Sequence, residues 1–346
     1  MGYGRSVRAG ACERTSVNPQ FNVDARVNDF RILVHDEIEA VEDFLQSCCQ
    51  ASGVELIDEV WQHLLQARGK RLRPILLVLS SKAHGRVGEH AIMAGAVVEM
   101  IHTATLIHDD VVDKARLRRG QPTVNHRWHD GIALMMGDFL YSKSFQLFTA
   151  AGLEREMEIL ADTTNRMSIA EMMQFQFHTK LDMREEEYMQ LIGEKTAALI
   201  EAACELGATL SAADDVRPIA AYGRNVGLAF QITDDLFDYL ADSRTVGKPV
   251  GSDLREGKVT LPLIAALRNA PPAVRGRMER QIQSGAIFES GSELSSFVQQ
   301  HGGIDYALAR ATAFGRDAKA ALAALRPSPE REALDAAVDF IINRCN

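Results

Sequence analysis

Two short acidic segments carry the residue types best suited to chemistry in this chain. Residues 109–113 (DDVVD) and 234–238 (DDLFD) share the pattern DDxxD, and we call them the first and second acidic box. Helical residues four apart lie about one turn apart on one face, so Asp109 stacks near Asp113. Such carboxylates repel each other unless cations neutralise them, and oxygen donors suit Mg²⁺ bound together with substrate phosphates. One box alone is equally well a solvated acidic patch, but two boxes in apolar helical patterns predict a multi-metal diphosphate clamp.

Basic residues accompany the first acidic box. Residues 69–74 (GKRLRP) place three cations, Lys70 and Arg73 among them, where a loop enters a helix. A helix N-terminus offers amide donors and a favourable dipole to an anion, and arginine adds a bidentate fork. Arg118 and Arg119 follow the first box within a few residues. The alternatives are a solvated basic turn and simple neutralisation of the box, but acids for metal beside bases for phosphate indicate a diphosphate site.

Further polar candidates surround the second box and the helix of the first. They are Lys195, Thr196, Gln231, Lys248 and Lys258. Each lysine alone would be interpreted as a surface residue, but glycines beside Lys248 and Lys258 permit close backbone approach to a ligand. His102 lies about two turns before Asp109 on the same face and is predicted to line the cavity. His108 adjoins the acids as a supporting group, and no zinc-type histidine spacing occurs.

Composition restricts the class of protein. The chain has 346 residues, a net charge of −9, 46% hydrophobic and only 6% aromatic residues, which favours helices and argues against general nucleic-acid binding. Walker A, GxGxxG and GxSxG motifs are absent, which argues against ATP hydrolysis, dinucleotide redox chemistry and serine hydrolysis. The five cysteines are odd in number and show no CxxC spacing, so they are predicted to be thiols in a reducing, cytoplasmic compartment.

Helical periodicity dominates the chain, and no strand pattern or domain linker interrupts it. Residues 1–25 are predicted to be a disordered extension with weak targeting-like features, and residues 26–346 one all-α domain around a central cavity. The apolar stretch 91–107 contains Glu99 and His102, so a buried core helix is favoured over a membrane span. Loops are expected at 114–126 and 242–258. Helices are predicted at 27–48, 56–67, 74–83, 89–113, 131–150, 157–177, 185–210, 217–241 and 260–268.

These motifs, in this order, resemble the trans-isoprenyl diphosphate synthase family. The resemblance covers about residues 69–267, through GKRLRP, HDDVVD followed by RRG, KTA, FQITDDLFD and GSDLREGK, and it is closest to bacterial long-chain members such as the octaprenyl diphosphate synthases. One departure is Ile169, where many members carry an acid two residues before Glu171. This removes any role for that acid but not for Glu171 and Gln174.

The resemblance implies a head-to-tail prenyl transfer with about three Mg²⁺ ions and no protein nucleophile. It implies Asp109, Asp113 and Asp234 as metal ligands, supported by Asp110, Asp235 and Asp238. The allylic diphosphate, farnesyl or geranyl, would be held by Arg118, Lys195, Thr196, Gln231, Lys248 and Lys258. Isopentenyl diphosphate would be held by Lys70, Arg73, His102 and Arg119. The family further implies a homodimer, with at most peripheral membrane contact and a product that serves as a quinone side chain.

Small residues before the first box predict a long product. Ala104 and Thr105 lie one turn before Asp109, where a bulky aromatic residue would close the pocket early. The apolar tunnel is therefore expected to run down this helix, with residues 97–101 along it and Phe148 as a deeper floor. The alternative is that these side chains are ordinary core. Octaprenyl is the favoured product length.

Three rival functions fit parts of the pattern. A class I terpene cyclase shares the all-α fold and one acidic box, but it needs no second diphosphate site such as Lys70 and Arg73. A non-catalytic subunit of a heteromeric prenyl synthase would be expected to have lost carboxylates from its boxes. A metal-dependent phosphohydrolase using His108 and Asp109 would need further histidine ligands, and the sequence offers none in a suitable context.

Overall fold

The computed structural model describes residues 32–49, 52–67, 69–240, 251–289 and 291–343. Its helices are α1 His35–Cys48, α2 Glu55–Gln66, α3 Leu72–His84, α4 Glu89–Val112, α5 Val124–Arg127, α6 Asp130–Ala150, α7 Glu154–Gln176, α8 Glu185–Ile192, α9 Ala198–Leu210, α10 Arg217–Leu240, α11 Ser252–Arg255, α12 Leu261–Asn269, α13 Pro272–Gln283, α14 Gly291–Gln300, α15 Gly303–Ala321 and α16 Pro329–Ile342. A π-helical segment, Gly193–Ala197, joins α8 to α9, and we call it the π turn. Short 3₁₀ turns cover Ala286–Glu289 and Leu322–Ala324. The predicted all-α class is confirmed.

Most predicted helices agree with the observed bounds to within a few residues. Helix α3 begins two residues before Pro74, because proline is tolerated throughout a first turn whose amides have no helical partner. The predicted extension 1–25 and the first residues of the 27–48 helix lie outside the described residues. Most of the 242–258 loop does too, and its described end contains the short helix α11.

The predicted loop at 114–126 contains a small β-hairpin, which the sequence analysis missed. Strand β1 (Leu117–Arg118) pairs antiparallel with β2 (Gln121–Pro122). Between the strands, Arg119 and Gly120 both have positive φ, at 52° and 77°. A two-residue turn with this backbone matches the twist of paired strands. The hairpin fixes the directions in which Arg118 and Arg119 leave the backbone.

Helices α4 and α10 carry the two acidic boxes near their C-terminal ends and form the centre of the bundle. Helix α4 packs against α1, α3 and α6, while α10 packs against α9, α15 and the π turn. By length and composition alone α4 is apolar enough to cross a membrane, but 61% of its most apolar window is buried inside the protein. That burial agrees with the predicted core helix.

Candidate active site

Both acidic boxes open onto one cleft of about 2010 Å³. Its walls come from the ends of α4, α7 and α10, the π turn, the loop before α3, the hairpin and α11. Because these elements are far apart in sequence, only the folded bundle brings the boxes together with the predicted bases. Of the predicted site residues, Lys248 alone lies outside the described part of the chain.

The first box divides into two outward carboxylates and one inward carboxylate. Asp109 lies 3.7 Å from Lys195 Nζ, and Asp113 accepts a hydrogen bond of 3.1 Å from Lys258. Asp110 instead is buried in the cleft wall and is only 6% exposed. Arg118 Nε donates to both of its oxygens, at 2.9 and 3.0 Å. Burial raises the pKa of Asp110, and the Arg118 guanidinium opposes that rise. Asp110 therefore anchors Arg118 at the edge of the cleft.

The second box has one exposed carboxylate in the cleft, one buried carboxylate and one that caps the next helix. Asp234 has an exposed side chain in the cleft wall. Asp235 is 5% exposed and accepts hydrogen bonds from Tyr188 (2.6 Å) and Gln231 (2.7 Å). Burial raises its pKa well above the usual range. Asp238 accepts from the backbone amide and hydroxyl of Ser252, at 2.9 and 2.7 Å, so it caps α11.

Lys195 and Thr196 reach the cleft from the π turn. Lys195 Nζ donates to Glu171 at 2.8 Å and to Gln174 at 3.0 Å. With Asp109 at 3.7 Å, this cation has three polar partners. Thr196 donates to Gln231 Oε1 at 2.7 Å. Burial and the nearby Asp109 carboxylate raise the pKa of Glu171, while Lys195 lowers it. The predicted allylic-site residues on the π turn and α10 are thus brought together, next to Asp109 of the first box.

The loop after α10 adds a carboxylate that was not among the predicted site residues. Asp253, on α11, lies behind Lys258, whose backbone amide donates to its carbonyl oxygen at 2.8 Å. Burial raises the pKa of Asp253 to about 7, the Asp238 carboxylate adds to the rise, and Lys258 opposes it. Burial disfavours the charge of Lys258, but Glu256 and Asp113 outweigh this effect and its pKa is raised. The quoted segment GSDLREGK contains Asp253 and was the available signal, but the sequence analysis did not assign it a role.

A second polar group, of three cations and one histidine, also lines the cleft. It consists of Lys70, Arg73, His102 and Arg119. Arg73 Nε is buried and has no hydrogen-bond partner among the described residues. Burial lowers the pKa of His102 far below its ordinary value, and the nearby Arg73 and Arg119 lower it further, so the imidazole is neutral. A buried guanidinium donor among like charges needs an anion to satisfy it, so the chemistry of this group suits an anionic ligand.

Arg71 has a different function from its neighbours in the GKRLRP loop. Its guanidinium forms ion pairs of 2.6 Å with Glu42 on α1 and Glu99 on α4. The residue has a left-handed backbone, with φ of 54°. Gly69 packs closely against the Arg119 guanidinium. A Cβ on Gly69 would lie 2.6 Å from Arg119 Nη1, so this position has no room for a side chain unless the guanidinium moves. The loop is therefore held so that Lys70 and Arg73 face the cleft.

The apolar part of the cleft begins one helical turn below the polar groups. Four helices each contribute one wall residue at this depth: Thr105, Met167, Leu199 and Phe230. They lie four residues from Asp109, Glu171, Lys195 and Asp234 respectively. One turn deeper, Ile101, Thr163, Ala203 and Val226 are at most 2% exposed and do not line the cleft. We call the first set the floor ring.

The described cleft does not follow the predicted path of the tunnel. Only Thr105 of the three predicted chain-length residues lines the cleft. Ala104 is buried beside Val41 and Met100 in a core cluster, because consecutive helical residues point about 100° apart. Phe148 is fully buried in the main core. An empty apolar tunnel down α4 would be costly, and the described core is packed there instead.

His108 faces away from the cleft. Its Nε2 lies 3.1 Å from the Leu134 carbonyl oxygen and 3.7 Å from Asp138, both on α6. A Cβ on Gly137 would collide with the imidazole at 2.1 Å, so the ring is wedged between α4 and α6. This placement removes the histidine on which the phosphohydrolase alternative depended.

Comparison with known proteins identifies what this architecture is similar to. The family model described as Polyprenyl synthetase matches residues 54–299. The chain is 38% identical to the all-trans-nonaprenyl-diphosphate synthase (geranyl-diphosphate specific) of Rhodobacter capsulatus, over 87% of this chain and 93% of that protein. It is 35% identical to the octaprenyl diphosphate synthase of Escherichia coli, over 85% of this chain and 91% of that protein.

A solved structure of a polyprenyl synthase has the same fold as this chain. The polyprenyl synthase of Caulobacter crescentus, complexed with calcium and isoprenyl diphosphate, superposes with a TM-score of 0.86 at 35% identity, covering 92% of this chain and 98% of that one. Relatives with shorter products are equally similar in sequence: the short chain isoprenyl diphosphate synthase of Methanothermobacter thermautotrophicus is 38% identical over 82% of this chain and 89% of its own length. Overall identity therefore does not separate product lengths.

Proposed function

This chain belongs to the polyprenyl synthetase family and is a prenyltransferase, and from that premise we propose that it builds a long-chain all-trans polyprenyl diphosphate. It adds isopentenyl diphosphate repeatedly to an allylic primer, geranyl or farnesyl diphosphate. The observation that carries the proposal is that two separate cation groups line one cleft. Lys195 and Lys258 pair with Asp109 and Asp113, whereas Arg73 and Arg119 lie near His102. The reaction involves two diphosphates: the allylic diphosphate leaves, and the isopentenyl diphosphate stays on the product. Each needs its own group of cations.

The carboxylates of the cleft fit Mg²⁺ by their chemistry. Asp109, Asp113 and Asp234 supply hard oxygen donors turned into the cleft, and we propose about three ions per site. When bound, the ions neutralise the allylic diphosphate and stabilise it as a leaving group. The calcium complex of the Caulobacter relative supports a divalent-cation site in this family.

The chain's own residues hold and activate the allylic diphosphate. Arg118, fixed by Asp110, and Lys195, shared between Glu171 and Gln174, direct their donors at its oxygens. Thr196, Gln231 and Lys258 complete this side, and Lys248 is assigned to it by the family resemblance. Donors held in place before reaction stabilise charge as it develops on the departing oxygen.

The second cation group binds isopentenyl diphosphate, which keeps its diphosphate. Arg73, Arg119 and Lys70 supply the charge, while neutral His102 donates one hydrogen bond without adding repulsion. The allylic C–O bond breaks and its electron pair leaves with the diphosphate. The isopentenyl double bond attacks the allylic carbocation, and the proton then lost goes to the released diphosphate. The apolar floor ring keeps water from the cation.

The product and its surroundings follow from the same proposal. The octaprenyl and nonaprenyl synthases among the relatives support a long product, and we favour octaprenyl for a quinone side chain. We propose a homodimer working in the cytoplasm, with at most peripheral membrane contact for release of an apolar product. Nucleic acid has no part in the proposal. A terpene cyclase would leave the Arg73 and Arg119 pocket without a ligand, and a non-catalytic subunit would not need both boxes intact.

The test is a product analysis. Purified protein is incubated with farnesyl diphosphate, isopentenyl diphosphate and Mg²⁺, and the dephosphorylated products are identified by mass. We expect a ladder that ends at about eight isoprene units. A product of four units or fewer would keep the reaction and overturn the long-chain proposal. Cyclised hydrocarbon from farnesyl diphosphate alone would favour the cyclase, and no product with any primer would favour the subunit.

A further inference from the structure

A ring of four charged residues encloses the outer side of the π turn. Arg166 on α7 and Arg224 on α10 both bind Glu194 in the π turn and Glu201 on α9. Three of the contacts measure 3.1 to 3.2 Å, and the fourth is the bond from Arg166 Nε to Glu194 Oε2. Each side chain is 20 to 36% exposed, so the ring is partly desolvated. None of the four lines the cleft.

The π turn needs an external restraint. A π-helical turn has one more residue than an α-helical turn and is rare, usually as a single turn at a functional site. Here Ala198 donates its backbone amide to the Gly193 carbonyl, five residues back. Reversion to an α-helical register would rotate every following side chain by about 100°. Lys195 and Thr196 lie within the turn, so their directions relative to the flanking helices depend on the π register.

Helix α10 restrains the π turn from two directions. A Cβ on Gly227 would come within 2.5 Å of Ala197 Cα, so the two backbones touch. On the cleft side, Thr196 donates to Gln231. On the outer side, Arg224 Nη2 reaches Glu194 and covers the Gly193 backbone, where a Cβ would lie 3.1 Å from that nitrogen.

The side chains of the neighbouring residues Glu194 and Lys195 point in opposite directions. Glu194 is held outward by two guanidiniums, and both lower its pKa against the effect of burial. Lys195 is held inward by Glu171 and Gln174. Fixing the outward residue fixes the rotation of the turn, and with it the direction of the inward one.

We propose that Arg166, Arg224, Glu194 and Glu201 are positioning residues that hold the π turn in register for the allylic diphosphate. The proposal rests on the function proposed above. It assigns to this ring the placement of Lys195 and Thr196, and it leaves the isopentenyl pocket, built on α3, α4 and the hairpin, unaffected. The ring therefore acts on one of the two substrates.

The test is a kinetic comparison of Arg224→Ala, Arg224→Lys and Glu201→Gln with the parent protein. We expect Arg224→Ala to raise the KM for the allylic diphosphate about tenfold and to leave the KM for isopentenyl diphosphate unchanged. A tenfold change corresponds to about 1.4 kcal/mol of lost binding free energy. Arg224→Lys should restore part of the loss, and Glu201→Gln should give a smaller shift in the same direction. Arg275→Ala, which removes an α13 ion pair outside the cleft, is the matched control and should leave both constants unchanged.

Hydrogen–deuterium exchange provides a readout that does not depend on catalysis. Faster exchange in the peptide covering residues 193–201 of Arg224→Ala, with unchanged exchange in α12 and α13, supports the proposal. Equal changes in both KM values, or unchanged exchange in that peptide, overturn it. If the parent protein makes no prenyl product the proposed function fails, while the exchange result still decides whether the ring holds the π turn.

Discussion

The second aspartate of each acidic box supports its neighbours. Asp110 binds Arg118, and Asp235 binds Gln231, which in turn accepts a hydrogen bond from Thr196. Both aspartates are buried, and burial raises the pKa of each. In each box a carboxylate that faces the cleft thus lies next to a buried aspartate that holds a neighbouring polar side chain.

This division of roles predicts different defects within one box. Asp234→Asn removes a cleft carboxylate, so we expect activity to fall about 100-fold and the Mg²⁺ concentration for half-maximal rate to rise. Asp235→Asn should lower activity with little change in the Mg²⁺ requirement. The control is Asp214→Asn on an exposed loop. An unchanged Mg²⁺ requirement in Asp234→Asn would remove this residue from the proposed metal site.

Asp253 predicts a pH-dependent stability for the metal-free protein. Its pKa is about 7 in the folded chain and 3.8 ordinarily, so the folded state binds more protons between these values. Stability therefore falls as pH rises through that window. Asp253→Asn should raise the free energy of unfolding by up to about 4 kcal/mol at pH 8 in EDTA, since each pKa unit is worth about 1.4 kcal/mol, and the gain should shrink towards pH 5. Urea titrations at both pH values measure it, and a gain independent of pH would contradict the assignment.

At the scale of elements, the sequence predicted straight helices well and local irregularities poorly. Apolar periodicity over 89–113 and 217–241 placed α4 and α10 to within a residue or two. Periodicity over 185–210 also predicted a helix, but a one-residue bulge such as the π turn leaves that pattern almost intact. The hairpin was missed because its strands have two residues each. Asp253 was missed as a site residue because its position depends on the cap that Asp238 gives α11.

The floor ring predicts which helix faces set product length. Met167 is unbranched and flexible, so it can move aside for a growing chain, and we expect Met167→Ala to lengthen the product by at least one isoprene unit. Thr105→Phe should shorten it, whereas Ala104→Phe should mainly reduce stability because Ala104 is buried in the core. Mass analysis of the products measures all three. Met172→Ala, at a 69% exposed position on the same helix, is the control.

If Met167→Ala and Thr105→Phe both give the parent product, the floor ring does not limit chain growth. If Ala104→Phe shortens the product as much as Thr105→Phe does, the tunnel follows the path first predicted from sequence.

At the scale of the molecule, the core fixes the distance between the two acidic boxes. The main cluster shares α4 with the cluster around α1, α2 and α6, and it shares α10 with the cluster around α12, α14 and α15. Each box is thus attached to two packed regions. The wide separation of these helices in sequence means that the cleft forms only when the whole bundle does.

Exposed apolar residues on α6 predict where two copies meet. Leu134 and Met135 are 42% and 63% exposed on the helix that packs against α4. We expect a dimer by light scattering, and a monomer when Leu134 and Met135 are both changed to Lys. Met172→Lys on α7 is the control. A monomeric parent protein would contradict the homodimer, and a dimer that survives the α6 change but not the α7 change would move the interface to α7.

The lysines that pair with the first box affect how tightly an ion and a diphosphate bind together. Lys195 and Lys258 lie within 3.7 Å and 3.1 Å of Asp109 and Asp113, so the unliganded box carries its own countercharge. A divalent ion that arrives alone must compete with these ammonium groups for the carboxylates. A diphosphate arriving with it gives those groups new oxygens. Ion and diphosphate therefore favour each other's binding, and by linkage each tightens the other's affinity by the same factor.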